Sequence, residues 1–325
     1  MRAYCASILP EPNVSSNKTS TPNAPAPPIR HAMSGRDWSM LLLLGAMWGG
    51  SYFFGRVAVM EIHPLTLVFL RVAIAGLALH LYFAATGQLT REAFGFTTGI
   101  YAIALLNNIF PFTLTFVGQT ELGAGAAAII NATTPFWTMI LANLLTADEK
   151  LTGRKVVGII LGVSGAAIMI GPGVILNAGA PLWAKLALVG TALSYACGAI
   201  YARRLRHIPP QTLVTGQLTA STVVMLPVIL LWTGSGGMFD ASATVWAAVV
   251  ALAVVSTSFG FILYFSLIRT AGATNASLVT LIVPVSAILL GALFLGERLE
   301  PFEFIGMGLI ALGLLIVDGR FIPRR

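Results

Sequence analysis

Apolar residues fill this chain in ten stretches of about twenty residues, parted by short polar or charged segments. They fall near 39–60, 64–85, 94–118, 123–146, 154–172, 182–203, 211–233, 243–268, 273–295 and 302–319. A helix of that length and character crosses a bilayer while satisfying its own backbone groups within hydrocarbon. The alternating ten-residue pattern of an outer-membrane barrel does not occur. The pattern therefore predicts an all-α integral membrane protein with ten transmembrane helices.

Two of the predicted hairpins read as versions of one another. Residues 131–170 align with residues 280–317, with one residue of slippage in the loop. Pro135 matches Pro284; Glu149, Lys150 and Leu151 match Glu297, Arg298 and Leu299; Gly158 and Gly165 match Gly306 and Gly313. The earlier spans follow more faintly. Trp48 lies eight residues before Arg56, as Tyr195 lies eight before Arg203. Asn107, Asn108 and Pro111 fall opposite Ser256, Thr257 and Gly260. The expected units are a first repeat over 38–175 and a second over 180–320. Each holds five spans, an odd number, so equivalent spans run in opposite directions. Two inverted five-helix repeats are a secondary-transporter layout, with a substrate site where the halves meet.

Composition agrees: 57% of residues are apolar, 10% are charged, and mean hydropathy is +0.86. The net charge of +7 raises nucleic acid as a partner, but the basic residues are distributed by topology. With the N-terminus in the cytoplasm, the inner segments collect most of the Lys and Arg, including Arg154, Lys155, Arg203, Arg204 and Arg206. The outer ends receive only Arg56, Lys185 and Arg298. That bias sets both termini inside and removes the case for nucleic acid. Residues 1–37 are rich in Pro, Ser, Thr and Asn, and read as a disordered cytoplasmic tail. Met33 stands as an alternative start. Cys5 and Cys197 suggest neither a disulfide nor a metal site. No Walker loop, clustered His/Cys set or GxSxG elbow occurs, so neither a cofactor nor a catalytic role is expected.

At this point the chain resembles the EamA family of the drug/metabolite transporter superfamily. The resemblance rests on LGAMWGGSYFFGR at 44–56, PLTLVFLR at 64–71, the hairpin at 134–165 and its counterpart at 284–313, and it covers essentially everything after residue 37. It implies a carrier of amino acids or other small metabolites, commonly an exporter in a bacterial inner membrane. The expected partners are a small-molecule substrate and the lipid bilayer. A receptor or scaffold without transport is the alternative reading.

Candidate site residues are the polar and aromatic groups within spans, because polarity in hydrocarbon is costly and usually faces a cavity or a neighbouring helix. Asn107 and Asn108 lie mid-span, as do Ser256 and Thr257. Pro111, Pro135 and Pro284 are expected to kink their helices, each freeing a carbonyl one turn earlier. Interhelical hydrogen bonding is the competing role for these groups. Trp48, Trp137 and Tyr195 sit too deep for interface anchors and are expected to line the cavity. Arg71 lies seven residues after Pro64, about 10 Å into its span. Either it snorkels to the outer interface or pairs with Glu61, or it meets the carboxylate of a substrate. His80 reads as a structural histidine. The glycines of the fifth and tenth spans mark close-packing faces, with a homodimer contact among their expected uses.

Overall fold

The computed structural model describes residues 34–87, 97–145, 151–175, 180–233, 240–271, 273–276 and 278–318. Most of the expected tail, the alternative start at Met33 and the Glu149–Lys150 turn lie outside them. The first helix, α1 (Gly35–Ala58), begins ahead of the expected position because Ser34 and Asp37 form a capping box. Ser34 Oγ accepts from Asp37 N at 3.2 Å, and Asp37 Oδ2 accepts from Ser34 N at 2.9 Å. The expected tail thus cedes Ser34–Asp37 to ordered structure.

All regular structure among the described residues is helical. After α1 come α2 (Pro64–Ala85), α3 (Thr98–Ala104), α4 (Phe110–Gln119), α5 (Ala124–Asn131) and α6 (Thr134–Leu145). They are followed by α7 (Gly153–Ile175), α8 (Leu182–Ala202), α9 (Pro210–Val228), α10 (Ala243–Val250) and α11 (Gly260–Ala271). The last three are α12 (Ala273–Ala276), α13 (Val279–Leu295) and α14 (Pro301–Asp318). Several pieces join into longer rods. A π segment at Leu105–Ile109 links α3 to α4, and a second at Ala251–Phe259 links α10 to α11.

Among the described residues six rods are long and apolar enough to cross a membrane: Pro64–Ala85, Thr98–Gln119, Ala124–Leu145, Leu182–Leu205, Pro210–Trp232 and Ala243–Ala271. Val279–Leu295 and Pro301–Val317 are shorter apolar helices. Leucines such as Leu42, Leu81, Leu230 and Leu293 stay exposed along these helices. Such apolar surface suits acyl chains and would be a liability in water. The chain is a multi-pass membrane protein.

Helix contacts tie the beginning of the chain to its end. α1 packs along α13 and against the π segment at Ala251–Phe259, while α8 packs along α4 and α6. α2 lies against α9, and α7 against α14. Between α2, α9 and α10 a core of Val68, Val72, Leu79, Leu218 and Val249 closes the centre. Charged side chains then secure helix ends at one end of the bundle. The Glu297 carboxylate accepts from the Ala124 and Gly125 N–H groups at 2.9 and 3.3 Å, at the N-terminus of α5. Glu61 accepts from Ser242 N and Oγ at 2.6 and 2.9 Å, just before α10. Arg56 donates to the Gln119 and Thr120 carbonyls that end α4. Each charge meets backbone groups that no helical bond satisfies, with the sign the helix dipole favours.

The glycine faces of the fifth and tenth expected spans meet one another. A Cβ on Gly165 would stand 2.6 Å from the Gly306 carbonyl oxygen, and one on Gly313 would stand 2.7 Å from that of Gly158. The glycines expected to offer a homodimer face are thus spent within the chain, on the α7–α14 contact. Gly308 is different, since a Cβ there meets nothing within 4 Å. Gly165→Val and Gly313→Val should each force α7 from α14 and cost about 1–3 kcal/mol, the usual range for overpacking. The expected readout is a lower yield of monodisperse protein and a lower melting temperature in detergent, with Gly308→Ala unchanged. Equal behaviour of all three variants would contradict this packing.

Candidate functional site

Arg71 is placed by the start of α2. Pro64 opens that helix, with its fixed φ and missing N–H suited to the first turn, and the His63 ring accepts from Leu65 N at 3.3 Å. Two turns further on, Arg71 is only 8% exposed. It does not snorkel, and Glu61 is engaged by Ser242 instead. The Arg71 guanidinium donates through Nε to Thr257 Oγ1 at 3.1 Å. Its carbon lies 3.7 Å from the Phe112 ring centroid and 5.7 Å from that of Phe116. Among the described residues, the phenols of Tyr52 and Tyr195 are near enough to sense its charge, and no carboxylate does so. Rings and a hydroxyl surround this cation without cancelling it.

Six stretches of chain build that group. Thr257 belongs to the π segment, and its hydroxyl donates to the Leu252 carbonyl five residues back at 2.8 Å. Its oxygen lone pair is what Arg71 receives. Tyr52 comes from α1, and its hydroxyl accepts from Asn131 Nδ2 at 2.5 Å. With that bond made, the phenolic proton remains free to be donated elsewhere. The Tyr52 carbonyl accepts from Gln119 Nε2 at 2.7 Å, which fixes α1 against α4. Tyr195, from α8, packs against the core that contains Phe112 and Phe116.

Trp48 lies one helical turn before Tyr52 and so shares its face of α1. Its ring centroid is 5.2 Å from that of Tyr264 and 6.4 Å from that of Phe261. A Cβ on Gly260 would stand 2.6 Å from Trp48 Nε1, so the glycine opposite Pro111 makes room for the indole. Trp137 is turned to a local partner: its Nε1 donates to Thr133 Oγ1 at 3.1 Å on the preceding turn.

Asn107 and Asn108 face different neighbours. Asn108 is buried and donates through Nδ2 to Ser221 Oγ of α9 at 3.1 Å, while its Oδ1 has no partner among the described residues. The half-buried Asn107 directs Oδ1 at Gly198 of α8. Ser256 is buried with no described partner for its Oγ, and Ser258 donates to the carbonyls of Ala75 and Ala253, each at 3.1 Å. His80 Nδ1 pairs with the Gly76 carbonyl at 2.8 Å.

The three prolines act differently. Pro111 follows the first π segment, where Ser194 Oγ donates to the Leu106 carbonyl at 2.8 Å. Pro135 lies just past the break between α5 and α6, where the hydroxyls of Thr133 and Thr134 donate to the Ile130 and Asn131 carbonyls, both at 2.7 Å. α13 continues through Pro284 without interruption, and the break in that rod falls earlier, between α12 and α13.

Residues not singled out as site members complete the group around Arg71: Tyr52, Asn131, Phe112 and Phe116. The signal for Tyr52 was its position one turn after Trp48; nothing in the spacing joins it to Asn131. Two cavities of about 240 and 220 Å³ lie elsewhere, beside Glu297, Arg298 and Leu299 at the bundle's end. Neither of these two cavities is lined by a member of the Arg71 group, and Arg71 itself is buried. Among the described residues no three His, Cys, Asp or Glu side chains gather as metal ligands would.

Known proteins share this architecture. A solved crystal structure aligns over 89% of this chain and 100% of its own with a TM-score of 0.63, at 17% identity, which shows a common fold. A Bacillus subtilis protein named "Uncharacterized transporter YvbV" is 26% identical over 281 residues, 86% of this chain and 90% of the relative. "Uncharacterized inner membrane transporter YedA" of Escherichia coli K12 is 28% identical over 282 residues, 85% of this chain and 89% of the relative. A "Probable amino-acid metabolite efflux pump" of the same strain is 25% identical over 295 residues, 87% of this chain and 95% of the relative. The model of the EamA-like transporter family matches twice, over residues 38–171 and 182–317. With nearly all of both helical halves matched, the chain belongs to the EamA-like transporter family.

Proposed function

We propose that this protein is a secondary carrier that exports small metabolites, amino acids or related compounds, across a bacterial inner membrane. Ten spans form two inverted five-helix repeats, with both termini in the cytoplasm, and the repeats rock about a central site. The helix contacts support this reading, because exchanging the halves turns the contact pattern into itself. α1 on α13 becomes α8 on α6, and α1 on the second π segment becomes α8 on the α3–α4 rod. The pairs α2–α9 and α7–α14 map onto themselves. Two of the three π segments among the described residues fall in equivalent rods, beside Asn107 and Asn108 in one and Ser256 and Thr257 in the other, while the third ends the α9 rod at Ile229–Thr233. Short π segments inside helices are frequent at functional sites.

The observation that carries the reading is Arg71. A buried cation with no carboxylate partner among the described residues, held between elements of both halves, is costly to keep in hydrocarbon and marks a pathway for solute. Trp48, Tyr195, Thr257 and Ser256 form the rest of the site in this reading, with Asn107, Asn108 and Trp137 on its borders. The direction of transport is suggested by the relative named as an efflux pump.

Purified protein in proteoliposomes should carry at least one solute from a labelled panel of amino acids, nucleobases and sugars. Arg71→Ala should lower that flux at least about tenfold while its level in the membrane stays normal, tenfold being ~1.4 kcal/mol of lost interaction. A folded wild type that moves no solute would favour the receptor or scaffold reading.

Stability supplies an independent check. If Arg71 were a structural strut, removing it would destabilise the protein. A buried charge whose neutraliser arrives from outside behaves oppositely, since an apolar replacement removes the desolvation cost. Arg71→Met should therefore melt at or above the wild-type temperature in detergent, while transport is lost. A fall in melting temperature would make Arg71 structural.

A further inference from the structure

The site's charge and donors point to the part of the solute it recognises. The guanidinium of Arg71 spends Nε on Thr257, and the charge-sensing neighbours around it among the described residues are the phenols of Tyr52 and Tyr195. Asn131 donates to Tyr52, so the Tyr52 proton must go to another acceptor. The Thr257 proton is already committed to the Leu252 carbonyl. The donors that remain are guanidinium and phenol groups, which together suit a planar anion with two oxygens.

Among the described residues the carboxylates lie elsewhere. Asp37 is tied to Ser34 and Thr270 at the start of α1, Glu61 to Ser242, and Glu297 to the α5 N-terminus. Glu121 and Asp240 also stand at helix ends. A substrate ammonium would meet no counter-charge beside Arg71. Trp48, Phe261 and Tyr264 instead present ring surface on the same side of α1, fit for an apolar body.

We propose that the carried solute is an organic carboxylate, gripped by the Arg71 guanidinium and the Tyr52 and Tyr195 hydroxyls, with Asn131 and Thr257 positioning those donors. Amines and amides lacking the carboxylate are rejected, because they leave the buried cation unneutralised. The planar guanidinium fork matches a carboxylate in a way that an ammonium does not. This inference rests on the carrier reading and narrows its substrate class.

The test sets carboxylates against their own amides: acetate against acetamide, 3-phenylpropanoate against 3-phenylpropanamide, and L-phenylalanine against L-phenylalaninamide, with phenethylamine as the amine. Full-length protein is titrated in detergent by thermal shift, and the same compounds are offered to proteoliposomes. At least one carboxylate should raise the melting temperature, and its amide should not. Arg71→Gln should weaken that binding about 100-fold, Arg71→Lys less, and Tyr52→Phe about tenfold, the scale of a hydrogen bond to a charged group. An amide or amine that binds as tightly as its carboxylate overturns the proposal. So does undiminished carboxylate binding by Arg71→Gln, or a folded wild type that no carboxylate stabilises. A carboxylate-free solute carried into proteoliposomes would overturn the substrate class and leave the carrier reading standing. Folded protein that carries neither class overturns both.

Discussion

Hydrocarbon offers no water to a carbonyl that loses its helical partner, and the interior of this protein is organised around that constraint. Where the α-helical ladder lapses, side chains take over. The second π segment is bonded by Thr257 to Leu252 and by Ser258 to Ala253, both five residues back. The first sends its Leu106 carbonyl to Ser194 of another helix. The break before Pro135 is closed by Thr133 and Thr134. These substitutions let irregular backbone persist at membrane depth without exposing it to lipid. They also fix the rotation of the neighbouring turns, which brings Thr257 to Arg71 and Asn108 to Ser221. The polar interior follows from backbone accounting before any question of solute arises.

The same accounting governs the helix ends. Glu297 on the first N–H groups of α5, and Arg56 on the last carbonyls of α4, lock segments distant in sequence. Their bond energies are small when solvent reaches them, since exposed charge pairs contribute about 0–1 kcal/mol. Their value here is positional. Glu61 on Ser242 and Glu297 on Ala124 each connect one half of the chain to the other at a single end of the bundle. The two cavities open at that end, beside Glu297.

Much of the architecture was legible in the sequence because apolar length and helical period are local properties. Pro111 pointed to irregular backbone in the third expected span, where a π segment occurs; the π segment of the eighth expected span had no proline to announce it. What could not be read was direction. Arg71 at two turns from Pro64 could have turned outward or inward, and only the rings of Phe112 and Phe116, contributed by α4, decide it. Glycine spacing announced close approach in α7 and α14 but left the partner open, and that partner is the other helix of the same chain. The bond between Tyr52 and Asn131 spans 79 residues, with no pattern that links the two positions. Pro135 and Pro284 match in sequence, yet α13 runs on through Pro284 while the α5–α6 rod breaks. Three threonines, at 133, 134 and 138, flank Pro135 and donate to backbone carbonyls nearby, and Thr133 also accepts from the Trp137 ring N–H, whereas Pro284 is flanked by Val283 and Val285. Local hydroxyls can support a break; branched apolar side chains favour packing through it.

Arg71 shows how these levels meet. The favourable terms around it are a ring face, worth up to about 2 kcal/mol when desolvated, and one hydrogen bond to a charged group of similar size. The effective penalty for burying an unpaired ion is itself several kcal/mol. The residue is thus held close to balance by groups that stabilise it without neutralising it. A carboxylate placed beside Arg71 would remove the penalty. Retaining the cation among rings and hydroxyls keeps that cost, and in the carrier reading proposed above the residue that bears it is the one that selects what enters.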